Sequence, residues 1–206
     1  MSTNHCMFLV PFWVRVWHGV NAVLILVLTV TGVSLHFADP GRMLVEFSLA
    51  ARIHDIAGVL LVAAYVFFVL ANMVTGNWSQ YVPATPNVFA RCMAQAKYYA
   101  VGVFRGDPHP HKTTAEARYN PLAALTYWAV MYLLLPVVLL SGLVFMFPQF
   151  APDRIFGMDG LLPIAMLHYL SGAAVVMFMI AHIYLGTMGK RISSLYRMMI
   201  NGWYER

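Results

Sequence analysis

Four stretches of this chain, at about residues 12–37, 53–74, 123–147 and 163–188, stay apolar for more than 20 residues and are joined by polar or Pro/Gly-containing connections. About 20 apolar residues in a helix cross a hydrocarbon core of about 30 Å, and a helix satisfies every backbone N–H and C=O there without water. The expected fold class is therefore all-α: an integral membrane four-helix bundle forming a single domain over residues 1–206. Composition points the same way, because 61% of the residues are hydrophobic, 10% are charged and the mean hydropathy is +0.69, too apolar for an ordinary soluble domain. The first stretch outruns a signal-peptide apolar region, has no Lys or Arg ahead of Arg15 and lacks a small-residue cleavage site, so it is read as a retained helix.

Charge sets the orientation. Of the 13 Lys and Arg, ten fall on one side of a four-span arrangement: Arg15, Arg91, Lys97, Arg105, Lys112, Arg118, Lys190, Arg191, Arg197 and Arg206. Arg42, Arg52 and Arg154 remain for the other. The positive-inside bias places both termini and the central linker in the cytoplasm. The net charge of +5 follows from these flanks, and no basic run is interleaved with base-stacking aromatics, so a nucleic-acid partner is not expected. Cys6 and Cys92 both fall on the cytoplasmic side, where a structural disulfide is not expected, and no C-x-x-C-H or cysteine cluster exists for a c-type haem or an iron-sulfur centre within the chain.

The linker from Thr75 to Tyr119 is long for a bundle, whose connections usually run about two to eight residues. Its middle, N-V-F-A-R-C-M-A-Q-A-K-Y-Y-A-V-G-V-F, reads as a cytoplasmic amphipathic helix at the interface, broken by G-D-P-H-P-H-K. His109 and His111 in that turn are not assigned a metal. Trp13, Trp17, Trp78, Trp128 and Trp203, with Tyr81, Tyr98, Tyr99 and Tyr119, read as an aromatic belt at the interfaces.

An imidazole in hydrocarbon is costly unless paired or coordinated, so the histidines sort by depth. His168 and His182 are fourteen residues apart in one apolar stretch. At about 100° and 1.5 Å per residue they share a helix face and stand about 21 Å apart along it. His54 begins the second span near the outer face, and His18 lies near the cytoplasmic end of the first. Antiparallel threading gives two pairs, His54 with His168 outside and His18 with His182 inside: two bis-histidine haem b sites. Such ligation leaves no open position on the iron and suits electron transfer. His36 shares the His18 face and is the alternative outer ligand, but His54 is preferred because Gly58 follows it by one turn, as Gly172 follows His168. Those two glycines would let a porphyrin lie against the backbone.

A weak repeat sets V-T-G-V-S-L-H-F against L-S-G-L-V-F-M-F and H-D-I-A-G against H-Y-L-S-G. One register aligns His18 with Trp128, the other Phe68 with His182. Gly32 and Gly142 either let a porphyrin lie against the backbone in the same way or let helices pack closely, and packing is the preferred reading for each. Arg15, Lys190 and Arg52 are candidate partners for haem propionates, and equally plain membrane-flanking charges.

The four histidines, with H-D-I-A-G, M-L-H-Y-L-S-G-A-A, A-H-I-Y-L-G-T-M-G-K and the pre-helix R-Y-N-P-L, resemble the four-helix di-haem cytochrome b family over nearly the whole chain. That family includes the membrane subunits of respiratory formate dehydrogenases, nickel-iron hydrogenases and thiosulfate reductases. The resemblance implies a membrane-anchoring, quinone-reactive subunit of a bacterial or archaeal cytoplasmic (inner) membrane complex rather than its catalytic subunit. Electrons would pass between an outer-face iron-sulfur or multihaem partner, docked with a catalytic subunit, and menaquinone or ubiquinone. Tyr119 and Asn120, with Tyr184 close to His182, would form the quinone pocket; Asn120 also reads as a helix N-cap before Pro121. Where some relatives carry polar Gln and Lys after that dipeptide, this chain has Ala123 and Ala124. The competing readings are a self-standing di-haem quinone oxidoreductase, superoxide-oxidase-like, and a histidine-based metal or proton transporter. The latter usually needs intramembrane carboxylates along a pathway, and here every Asp and Glu lies in or beside a loop.

Overall fold

The computed structural model describes residues 6–39, 44–82, 86–115 and 117–205; Arg42 and Arg206 lie outside them. Four helices are long and apolar enough to cross a membrane: α1 (Phe12–His36), α2 (Phe47–Thr75), α4 (Pro121–Met146) and α5 (Leu161–Gly186). They pack as two antiparallel hairpins, α1 with α2 and α4 with α5, which meet between α2 and α4. The seam of the first hairpin is built from small buried side chains, among them Thr31, Ser34, Ala50 and Ala57, which let two backbones approach closely. Ser34 pins the loop beyond it, its hydroxyl accepting from the Val45 N–H and donating to the Val45 carbonyl at 3.0 Å.

The start of α2 corrects the expected boundary. Its first turn is mixed and weakly apolar, but Glu46 caps it, accepting from the N–H groups of Ser48 and Leu49 at 2.9 Å. Those bonds and the Ser48 hydroxyl hold the Glu46 carboxyl below its usual range. His54 therefore sits two turns inside the helix rather than at its beginning. Pro121 opens α4 two residues earlier than expected, with the Asn120 Oδ1 accepting from the Ala123 N–H at 2.9 Å. Within α4 the segment Val130–Leu134 is π-helical. Pro136 follows it, with no N–H to give to the carbonyl one turn back, and a widened turn absorbs that loss.

Between the hairpins, α3 runs from Val88–Lys97 through a π-helical Tyr98–Gly102 to Val103–Arg105 and packs on the start of α4. After α5 a short α6 (Ser194–Asn201) ends at Gly202, whose φ of 86° turns the chain back. Strand β1 (Cys6–Phe8) pairs antiparallel with β4 (Trp203–Glu205), so the two chain-terminal segments lie at one end of the bundle. At the opposite end β2 (Arg154–Ile155) and β3 (Met158–Asp159) form a small hairpin. Its turn residues Phe156 and Gly157 both have positive φ. Below, the end carrying β1, α3 and β4 is called inner and the other outer.

Candidate functional site

The fold brings the four sequence-selected histidines together as two facing pairs. His54 on α2 and His168 on α5 have ring centroids 6.3 Å apart, and His18 on α1 and His182 on α5 stand 6.0 Å apart. Two imidazole nitrogens each about 2 Å from one metal atom put their ring centroids roughly 6 Å apart, so each pair is spaced as two ligands of one iron would be. His36 is not between them; it stacks on Tyr169 with centroids 4.3 Å apart.

Hydrogen bonds fix the tautomers of the outer pair. Thr31 spends its hydroxyl proton on the Val27 carbonyl at 2.8 Å, so toward the His54 Nδ1, 2.9 Å away, it accepts. The His168 Nδ1 lies 3.1 Å from the Val138 carbonyl, which only accepts, and 3.1 Å from the Ser141 Oγ, itself committed to Val137. Both rings therefore carry their proton on Nδ1 and keep the Nε2 lone pair for a metal, the arrangement second-shell partners impose on ligating histidines.

Glycine placement corrects the sequence reading. Gly32 and Gly142, taken above for helix-packing residues, make room for the imidazoles: an added Cβ would stand 3.3 Å from the His54 Cε1 and 3.0 Å from that of His168. Thr31-Gly32 and Ser141-Gly142 are thus equivalent seats, one per hairpin, each holding a histidine from the other helix of its own hairpin. The hydroxyl preceding each glycine in the repeat was the signal for them. At Gly58 and Gly172 an added Cβ would meet nothing within 4 Å, so both open on unfilled space one turn beyond a histidine.

The inner pair has different surroundings. His182 stacks on Phe178 at 5.5 Å and meets the edge of Tyr127, whose hydroxyl is 3.4 Å from Nδ1. Tyr127 in turn contacts Tyr119 at 5.0 Å. Beside His18, Trp17 is buried, stacks on the wholly buried Phe68 at 4.3 Å and donates from Nε1 to the Ala64 carbonyl at 2.9 Å. Tyr81 closes the same cluster. Trp17 and Tyr81 are core residues, not the belt members the sequence suggested, because a loop folds back over the end of α2. That fold-back rests on a buried amide chain, Asn77 donating to the Asn72 Oδ1 at 2.8 Å and Asn72 to the Phe68 carbonyl at 2.8 Å. Burial, then Tyr119 and Tyr132, push the Tyr81 phenol well up, against a downward pull from Arg118 and Asn77.

Asn120 sits beside this cluster, its Nδ2 donating to the Tyr99 hydroxyl of α3 at 3.1 Å. Burial raises the Tyr99 phenol, opposed by its bonds to Asn120 and Gln95. Gln95 also meets the His109 Nε2 at 3.3 Å, which ties the loop to α3, and the His111 Nε2 lies 3.3 Å from the Ala117 carbonyl within the loop itself. Burial lowers the His111 pKa. Tyr184 is exposed on the far side of α5's last turn and is not drawn into the Tyr119 and Asn120 group. Of the cationic candidates, Arg15 bonds the Ile200 carbonyl and lies over the Phe12 ring, which turns it toward α6. Arg52 is exposed, its charge felt by Glu46, and Lys190 is exposed just past α5.

The model of the prokaryotic cytochrome b561 family matches residues 9–202. Cytochrome YdhU of Escherichia coli (strain K12) is 34% identical over 192 residues, covering 93% of this chain and 72% of that protein. Since the family match runs through all four spans and both histidine pairs, the chain belongs to the prokaryotic cytochrome b561 family of membrane proteins that bind haem b and transfer electrons.

Proposed function

We propose that the chain holds two haem b groups, one between His54 and His168 and one between His18 and His182, and carries electrons between an outer redox partner and a membrane quinone. The observation that carries this reading is the pair of facing imidazole sets, 6.3 and 6.0 Å across, at the two ends of one bundle. Haem b, when bound, supplies a one-electron carrier at each depth. The chain's own contribution is orientation: the seats of Thr31 and Ser141 hold the outer imidazoles with Nε2 free, and Phe178 and Tyr127 hold His182. Fourteen residues of α5 separate His168 from His182, a rise of about 21 Å that spans most of the hydrocarbon core.

The outer end receives an iron-sulfur or multihaem subunit together with a catalytic subunit, and menaquinone or ubiquinone reacts at the inner end near Tyr119 and Asn120. The membrane is the bacterial or archaeal cytoplasmic one, with both termini inside. The charge count supports that orientation. Asn120 remains a quinone candidate although its amide already caps α4 and bonds Tyr99. Tyr184 is the weakest of the three, since nothing among the described residues joins it to that cluster.

The deciding experiment is a pyridine-haemochrome assay and reduced-minus-oxidised spectrum on protein purified in mild detergent. Two haem b per chain, both reduced on adding a quinol, are expected. No b-type band, or haem that quinol does not reduce, would overturn the reading, and a chain that never co-purifies with another subunit would overturn the partner.

A further inference from the structure

Arg118 carries a charge that the described residues leave unanswered. Its Nε and Nη1 are buried without a hydrogen-bond partner, and among the described residues no carboxylate pairs with it. What fixes the residue is its backbone N–H, which donates to the Gln80 Oε1 at 3.2 Å, and the Tyr119 ring, which lies 5.8 Å under the guanidinium. Water is kept from two of its nitrogens while no anion among the described residues replaces it, an arrangement that destabilises a folded chain unless something negative arrives.

Its position says what arrives. Tyr119 meets Tyr127, and Tyr127 meets His182; Tyr119 also meets Tyr81, which packs through Phe68 onto Trp17, the neighbour of His18. Arg118 thus stands at the inner rim of the aromatic cluster whose two branches lead to the two inner imidazoles. Haem b has two carboxylates on one edge, and a carboxylate inside hydrocarbon is costly unless paired, so a haem held by His18 and His182 would need a cationic partner near the inner boundary. Arg15, the candidate suggested by spacing, is turned away onto the Ile200 carbonyl.

We infer that Arg118 is the carboxylate anchor of the inner haem, binding one of its propionates through the buried guanidinium nitrogens. The inference rests on the di-haem reading above. The same chemistry is offered by the phosphate of a lipid headgroup, which the test separates.

Wild type, Arg118→Gln and Arg118→Lys are placed in nanodiscs of phosphatidylcholine alone or with phosphatidylglycerol. Haem content, spectroelectrochemical titration and the resonance Raman propionate bending band are then read. In R118Q the inner haem's reduced-to-oxidised ratio at fixed potential falls about tenfold, the worth of a charge-assisted hydrogen bond. The propionate band shifts and the outer haem does not change. R118K recovers most of the ratio but not the band. If R118Q does not fold, wild-type apoprotein loaded with haem b dimethyl ester, which has no carboxylate to pair with the guanidinium, should show a fall in inner haem occupancy about tenfold beyond that of the outer site. Two haems with an unaltered ratio and band in R118Q, or no fall with the ester, would overturn the anchor alone. A change seen only with phosphatidylglycerol would assign the guanidinium to lipid and overturn it too. Absence of haem from the wild type would remove the underlying reading.

Discussion

The outer and inner histidine pairs use the same spacing but are built by different rules. Outside, each imidazole rests on a hydroxyl-glycine seat within its own hairpin, Thr31-Gly32 for His54 and Ser141-Gly142 for His168, so the repeat seen in sequence is a repeat of histidine seats. Inside, the repeat survives in shape and lapses in chemistry. The register that sets Gly32 on Gly142 sets Trp17 on Tyr127, and the one that sets His54 on His168 sets Phe68 on His182. Accordingly Trp17 stacks on Phe68 in one hairpin where Tyr127 meets His182 in the other. With a phenyl group where the second hairpin has an imidazole, the inner partner of His182 comes instead from α1, as His18. Two similar hairpins thus need not carry two symmetric sites, and one buried aromatic residue is enough to redirect a pair.

The largest effects that would break this comparison are in the ligands. His54→Ala or His168→Ala should reduce haem from two per chain to one with the inner spectrum kept, and His18→Ala or His182→Ala should do the converse, read by pyridine haemochrome. If His36→Ala removed a haem and His54→Ala did not, the outer pair would be misassigned. Next come the seats. Gly142→Ala should lower outer haem occupancy more than Gly32→Ala, since its added carbon starts 3.0 Å rather than 3.3 Å from the imidazole; equal occupancy would show that the rings give way. At Gly58 and Gly172 the added methyl meets no protein atom, so a loss of haem on substitution there reports the cofactor itself.

The hydroxyls follow. Thr31→Val should weaken outer haem affinity by about 10- to 100-fold, the usual cost of losing a second-shell partner. Ser141→Ala should cost less, because His168 keeps the Val138 carbonyl, and Thr31→Ser should be close to silent in the same titration. The smallest effect that still discriminates is at the redirecting residue. Phe68→Leu leaves a partly filled void and should destabilise the bundle by about 1–3 kcal/mol in detergent melts without changing haem count. Loss of the inner haem instead would show that the phenyl group takes part in that site.

The spans and the spacing of the facing histidines were legible because both depend on simple periodicities, apolar length for the helices and the helical repeat for His168 and His182. The beginning of α2 was not, since its first turn owes its helicity to a single acceptor, Glu46, that no apolar pattern marks. Gly32 and Gly142 resembled ordinary packing glycines because what they accommodate is an imidazole arriving from another helix. Trp17 and Tyr81 resembled interfacial aromatics because the fold-back that buries them is written in Asn72 and Asn77, polar residues that composition counts as loop. Arg118 was counted only as one more inner cation; that two of its nitrogens are buried beside the Tyr119 ring is a matter of packing that a charge count does not record.

The seats also bear on assembly. An apoprotein whose outer rings are already locked by Thr31 and Ser141 has little torsional freedom left to surrender when the prosthetic group enters, so loading there costs little ordering entropy. His18, by contrast, makes no such bond among the described residues. In cells short of porphyrin the outer compartment should therefore fill first, leaving a half-loaded chain.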